Sequence, residues 1–348
     1  MTKSKTWRYN FFIGIDVSKS DLDVVLMVRN TFVGHYKIAN EPYEIKALIK
    51  QLKEENQLTI ASTLFGMERT GIYCNHLINT LEKLKANIVL ENPVQIKNSL
   101  GLLRGKSDRV DAERIAKYLV IRKDDLVLFC SRRTIIDKLA RLAALRGRLI
   151  ATQGALKTPL SEENHFLNKS DSELNQSLCN STLQALRNDI IELEGFIRKL
   201  WRGDERICNL MKLIMSIPGL GEVTSLQIVI ITNEFININD PRKFACYAGV
   251  APFEHKSGSS VRSKTQVSHM ADKKLKSLLH TCALSASIHN PEIRAYYLRR
   301  VEKDGKPKMS VLNAIRFKLI TRIFTCVKQN RVFTEEYNSH HIASTEAK

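Results

Sequence analysis

The chain has 348 residues, with 54 Lys and Arg against 36 Asp and Glu and a formal net charge of +18. That length allows at least two domains of ordinary size, and a charge far beyond what solubility needs favours a polyanionic partner, nucleic acid ahead of an anionic membrane. No run approaches the roughly 18 apolar residues of a membrane span, the start MTKSKTWRYN lacks a secretory core, and 7 scattered cysteines without a C-x-x-C pair signal neither disulfides nor zinc, so a cytoplasmic protein is expected.

From Phe11 to about Ile38, three β-rich runs (FFIGIDV, LDVVLMV, TFVGHYKI) predict an antiparallel meander. A helix from about Pro42 to Glu55 follows, then a strand ending at Glu68, a helix from about Ile72 to Lys85 and the strand ANIVLEN. With a further helix in KSDRVDAERIAKYL, the order βββαβαβα predicts a mixed sheet flanked by helices in a first domain, residues 1–130. Strand signals then vanish. Ile135, Leu139, Leu142, Leu145 and Leu149 mark one face of a long helix, which SEENHFLNKSDSE is expected to break. Beyond it Cys179, Leu183, Leu186, Ile190, Leu193, Ile197 and Leu200 alternate steps of three and four, a coiled-coil stripe. Residues 131–204 therefore read as a helical hairpin or an intermolecular zipper, with oligomerisation as its expected role.

The third domain, residues 205–337, is expected to be α-rich, and 338–348 a polar tail. SIPGLGEVTS has the form of a helix-hairpin-helix, whose turn amides with Thr224 and Ser225 behind them suit a phosphate as well as they suit a plain helix connection. Arg294, Arg299, Arg300, Lys303, Lys306, Lys308, Arg316 and Lys318 predict a basic surface.

Four acids carry the chemistry. Asp16 closes FFIGID, Glu68 closes LTIASTLFGME, and Asp108 and Asp111, three apart, share a helix face. If the two runs are neighbouring strands and the helix starts above them, all four converge, as a ribonuclease-H-like nuclease core requires. Clustered carboxylates repel, and a bound cation is the simplest way to keep them ionised. Oxygen ligands without His or Cys point to Mg²⁺ or Mn²⁺, suited to phosphodiester chemistry. Singly each acid has an ordinary reading as a turn, surface or capping residue; together they favour a metal site. GLLRGKSD imitates a phosphate loop, but three residues separate its glycines and no strand enters it. Arg104, Lys106 and Arg109 are instead read as phosphate-backbone contacts.

GIDVSK, MERTG and KSDRVDA resemble the DEDD signature of bacterial insertion-sequence transposases of the IS110 type. SIPGLGEVTS and FACYAGVAPFEHKSGSSVRSK resemble that family's C-terminal domain, so the likeness spans nearly the whole chain. It implies a RuvC-like N-terminal domain and a DNA recombinase whose nucleophile maps to Ser257, before Gly258, with Ser259 and Ser260 as neighbouring registers. It also implies a structured guide RNA, a homo-oligomer (dimer or tetramer), and an active site joining the acids of one subunit to the serine of another. The family's Lys-x-Gly-Asn-like turn is replaced here by Ala271 and Asp272. Beside the serine, Lys256, Arg262 and Lys264 are placed to neutralise a phosphoryl group. Two rivals stand beside this reading. One is a non-catalytic nucleic-acid binder. The other is an actin-like kinase suggested by GIDVSKSDLDVVL, which the short length, the lack of a second glycine-rich turn and the positive charge oppose.

Overall fold

The computed structural model describes residues 8–69, 71–99, 107–253, 256–257, 261–262, 266–267 and 271–334. The chain divides into two compact units, Met1–Ser131 and Arg132–Lys348.

In the first unit, β1 (Phe11–Val17), β2 (Asp21–Val28) and β3 (Thr31–Ala39) form the expected meander and are followed by α1 (Pro42–Asn56). Then come β4 (Thr63–Glu68), α2 (Asn75–Lys83), β5 (Asn87–Glu91), α3 (Pro93–Ser99) and α4 (Asp108–Arg122). The five strands lie in the order β3-β2-β1-β4-β5. β1 is antiparallel to β2 and parallel to β4, and β4 is parallel to β5. This is the mixed sheet of a ribonuclease-H-like, RuvC-like domain. Alternation along each strand gives the sheet two apolar faces. One, with Ile13, Ile15, Val24 and Phe65, shares a core with Leu48 and Leu52 of α1 and Leu77 and Leu81 of α2. The other, with Phe12, Val25, Leu64 and Val89, shares one with Ala112, Ala116 and Leu119 of α4.

Two glycines set the height of α4. Gly14 and Gly66 are register partners on β1 and β4. A Cβ on Gly14 would stand 2.2 Å from the Ala112 carbonyl oxygen and 2.3 Å from the Ala116 nitrogen, and one on Gly66 2.8 Å from the Leu119 side chain. The helix thus rests on bare backbone. Its first turn is fixed by Ser107, whose hydroxyl accepts from the Val110 amide at 3.3 Å, and Asp108 and Asp111 lie in that turn, where the helix dipole favours negative charge.

The second unit opens with α5 (Thr134–Phe166) and α6 (Lys169–Arg202), which pack together as an intramolecular hairpin. The expected break is displaced: SEENHF stays helical, and the chain turns only at Leu167 and Asn168, whose side chain caps α6 by accepting from the Asp171 amide. Pro159 lies inside α5. The carbonyl it deprives of a donor belongs to exposed Ala155, so solvent takes the place of the missing N–H. The stripe from Cys179 to Leu200 is only half-buried except at Ile197, because a two-helix hairpin covers one side of it.

Next come α7 (Glu205–Met215), α8 (Glu222–Thr232) and α9 (Pro241–Tyr247). An arm of paired two-residue strands follows, β6 (Pro252–Phe253), β7 (Lys256–Ser257), β8 (Val261–Arg262) and β9 (Gln266–Val267). Last are α10 (Lys273–His289), α11 (Pro291–Leu298) and α12 (Lys308–Gln329). One ion network ties the start of α5 to two other elements. Arg133 donates to Asp204, which caps α7, at 2.8 Å, and to Glu234, just past α8, at 2.7 and 2.8 Å. The Glu234 side chain has no solvent exposure and also receives Arg206 at 3.2 Å.

Candidate nucleic-acid-processing site

Asp16 and Glu68 stand at the carboxyl ends of neighbouring parallel strands, one step beyond the paired Ile15 and Met67. Pairing extends that row in both directions: Asp23 of β2 is opposite Asp16, and Glu91 of β5 is opposite Glu68. Cross-strand partners project from the same face, and Asp16 shares the face of Gly14 and Phe12, the one that α4 covers. Four acids therefore line one edge of the sheet on the side where α4 begins.

The Asp16 carboxyl registers this crowding. Burial pushes its pKa from 3.8 up to about 6, and the charges of Asp111, Asp108 and Asp23 push the same way. The other acids are partly engaged. His35 donates to Asp23 at 2.7 Å, Arg114 donates to Asp111 at 2.7 Å, and the Tyr118 hydroxyl donates to Glu91 at 2.8 Å. Burial and the Glu91 carboxylate raise the Tyr118 hydroxyl to about 12. Among the described residues no group of three or more His, Cys, Asp or Glu side chains is gathered closely enough to hold a metal ion. The charges of Asp111 and Asp108 reach Asp16 through space.

In the second unit, Ser257 pairs with Val261 and Lys256 with Arg262, and residues 258–260 lie outside the described residues. At the root of this arm Pro252 pairs with Val267 and Phe253 with Gln266. Lys264, Arg104, Lys106, Ser259 and Ser260 also lie outside the described residues. Exposed Arg109 stacks its guanidinium over the Phe32 ring, 5.6 Å from the centroid.

The turn of SIPGLGEVTS joins α7 to α8 as expected, but its hydroxyls do not face outward. Thr224 and Ser225 are buried; the Thr224 hydroxyl accepts from Cys282, and Ser225 donates to the Gly221 carbonyl. Gly219, at φ +94°, backs onto α10, where a Cβ would meet Ala286 and the Cys282 carbonyl. At the start of α8, Glu222 takes Arg198 at 2.9 Å and the Trp201 indole N–H at 3.1 Å. The Glu222 carboxylate in that first turn is thus offset by the Arg198 guanidinium.

Residues 13–162 match the DEDD transposase family of the IS110 type, and residues 211–298 match the transposase IS116/IS110/IS902 family. The chain carries transposase domains of the IS110/IS116/IS902 family. Among its relatives, the pilin gene-inverting protein of Moraxella lacunata is 26% identical over 326 residues, covering 92% of this chain and 97% of that one. The insertion element IS116 uncharacterized 44.8 kDa protein of Streptomyces clavuligerus is 25% identical over 152 residues, 44% of this chain and 37% of that one. T. thermophilus RuvC, solved in complex with a Holliday junction substrate, aligns with a TM-score of 0.28 and 12% identity over 35% of this chain and 100% of that chain.

These domains mark a DNA transposase/recombinase enzyme, and the sheet order of the first unit is ribonuclease-H-like. Asp16, Glu68, Asp108 and Asp111 lie on elements that meet at one sheet edge. Asp23 and Glu91 escaped the sequence reading because each becomes visible only through its register partner. No helix among the described residues is long and apolar enough to cross a membrane.

Proposed function

We propose that the transposase cuts and rejoins DNA with two sets of groups: a metal-binding carboxylate edge and a serine nucleophile. The observation that carries the first is the Asp16 carboxyl, held at about 6 beside Asp111 and Asp108. A carboxyl under such repulsion is relieved by a cation. The donor set, all carboxylate oxygens with His35 already engaged by Asp23, fits Mg²⁺ or Mn²⁺. Asp16, Glu68, Asp108 and Asp111 would hold it, and Arg114 would have to release Asp111 in exchange. When bound, such an ion supplies charge neutralisation for a phosphodiester under attack.

Ser257 is the proposed nucleophile. Its Oγ–H loses the proton, an Oγ–P bond forms, the P–O bond to the deoxyribose breaks, and the released hydroxyl takes up a proton. Attack by a second hydroxyl on that phosphoserine link rejoins the DNA without an external energy source. Lys256, Arg262 and Lys264 supply positive charge to the phosphoryl group, while Arg104, Lys106 and Arg109 hold backbone phosphates. The Moraxella relative is named for inverting a gene, and inversion, like transposition, needs both cutting and rejoining. A guide RNA and a dimer or tetramer whose subunits share acids and serine complete the proposal, with domains at 1–130, 131–204 and 205–337.

The test is to incubate the chain with DNA carrying its element ends and Mg²⁺, then look for a protein–DNA adduct on denaturing gels. Ser257→Ala should abolish it, whereas Asp108→Ala or Asp111→Ala should reduce cleavage and leave DNA binding intact. An adduct that survives Ser257→Ala moves the nucleophile elsewhere. Sequencing RNA that copurifies with the chain tests guidance; the absence of a discrete species refutes it.

A further inference from the structure

One cation in the basic run near the C-terminus differs from its neighbours. Lys318 and Arg322 pair with Glu292, and Arg300 pairs with Asp304 at 2.6 Å. Arg316, on α12, is only 4% exposed, and among the described residues no carboxylate pairs with it. Its Nη1 donates to Asn313 Oδ1 at 3.3 Å and its Nη2 to His280 Nδ1 at 2.5 Å, while Nε is buried with no partner. A guanidinium only donates, so His280 accepts through Nδ1 and is neutral. Burial and the Arg316 charge hold the imidazole below its ordinary pKa, in agreement with that state.

A buried cation with only neutral partners is costly to keep, and it is a strong acceptor site for an anion. Its position says which anion. Asn313 donates through Nδ2 to the carbonyl of Val250 at 2.8 Å, two residues before β6 and the arm that carries Ser257. The arm's return strand leads into α10, whose capping residue Asp272 donates its amide to Tyr247 at the end of α9. His280 and half-buried Lys276 are one turn apart on α10, and Lys273 begins that helix. His280 and Asn313, the two partners of buried Arg316, are themselves half-exposed.

We propose that Arg316, flanked by His280 and Asn313, is a seat for a backbone phosphate of the DNA strand that the serine arm handles. The strand's phosphate oxygen would take the unpartnered Nε together with Nη2 as a two-pronged pair, displacing the imidazole, and Asn313 would link occupancy of the seat to the arm's root. Arg316 is then a positioning residue for the serine chemistry, and the inference rests on the DNA-recombinase reading given above.

The test compares the full chain with its Arg316→Met and Arg316→Lys variants. Thermal melting is measured without nucleic acid, and fluorescence anisotropy follows a labelled duplex as salt is raised. Arg316→Met should melt no lower than the parent, since it removes an uncompensated buried charge. It should bind DNA roughly tenfold more weakly, with a salt slope shallower by about one, and Arg316→Lys should recover part of both. Arg316→Met that melts several degrees lower yet binds duplex with the parental salt slope assigns the residue a structural role and overturns the proposal. So does a loss confined to single-stranded RNA with duplex binding intact. Failure of the parent chain itself to bind DNA would instead sink the recombinase reading.

Discussion

Replacing Asp16 by Asn removes the charge that its surroundings oppose most. The fold raises this carboxyl from 3.8 to about 6 through burial, Asp111, Asp108 and Asp23, so ionised Asp16 works against folding. Between those two values the folded chain binds more protons than the unfolded chain, and stability falls as pH rises through the window. The penalty is complete above pH of about 6 and absent below the unfolded value. A displacement of roughly 2 pH units corresponds to about 3 kcal/mol, and Asp16 retains enough exposure for solvent screening to leave ~1–2 kcal/mol. For a unit of this size that is a gain of about 4–8 °C in melting temperature. Calorimetry of the full chain near neutral pH, without divalent ions, should therefore show Asp16→Asn melting higher than the parent, with the gain shrinking toward nothing at about pH 4. Adding magnesium should raise the parent and leave the variant unmoved. A variant that melts no higher at neutral pH, or whose advantage persists in acid, refutes the idea that Asp16 sits in uncompensated negative charge.

Gly14→Ala should prevent α4 from docking, because the new methyl meets the backbone of Ala112 and Ala116 with no side chain able to give way. The expected cost is about 3 kcal/mol or more, seen as early melting and accelerated hydrogen exchange in β1; parental exchange rates would contradict the close approach. Arg133→Met leaves the Glu234 carboxylate buried with only Arg206 and should cost roughly 3–5 kcal/mol by denaturant unfolding. Adding Glu234→Gln should recover much of that loss, and a double variant as unstable as the sum of both singles rules out the coupling.

How far the sequence exposes this fold depends on whether the signal is local. The meander was readable because apolar runs of strand length are bounded by SKSD and RN, and Asp16 and Glu68 were readable because each ends such a run. The helix expected from Ile72 begins instead as a 3-10 turn, Gly71–Cys74. α3 is not predicted because its seven mixed residues, Pro93–Ser99, carry no period. Asp23 and Glu91 required knowledge of which strand lies beside which, and register is a property of the folded sheet. A signal for the site's floor was nevertheless present. In FIGID and FGME a glycine stands two residues before the acid, on the same face of its strand, where it clears space for the helix that brings Asp108 and Asp111.

The C-terminal basic run shows the opposite limit. By charge alone Arg316 and Lys318 are indistinguishable, two steps apart in a helix facing a polyanion. Packing separates them. Lys318 reaches Glu292 and is neutralised there, whereas Arg316, turned about 200° around α12, donates among the described residues only to His280 and Asn313. One of these partners, Asn313, also donates to the Val250 carbonyl just before β6. A count of positive charges says that the chain prefers a polyanion. Only the pairing of each charge separates Arg316 from its neighbours, so motifs mark Asp16, Glu68, Asp108, Asp111 and Ser257 as candidates and leave Arg316 out.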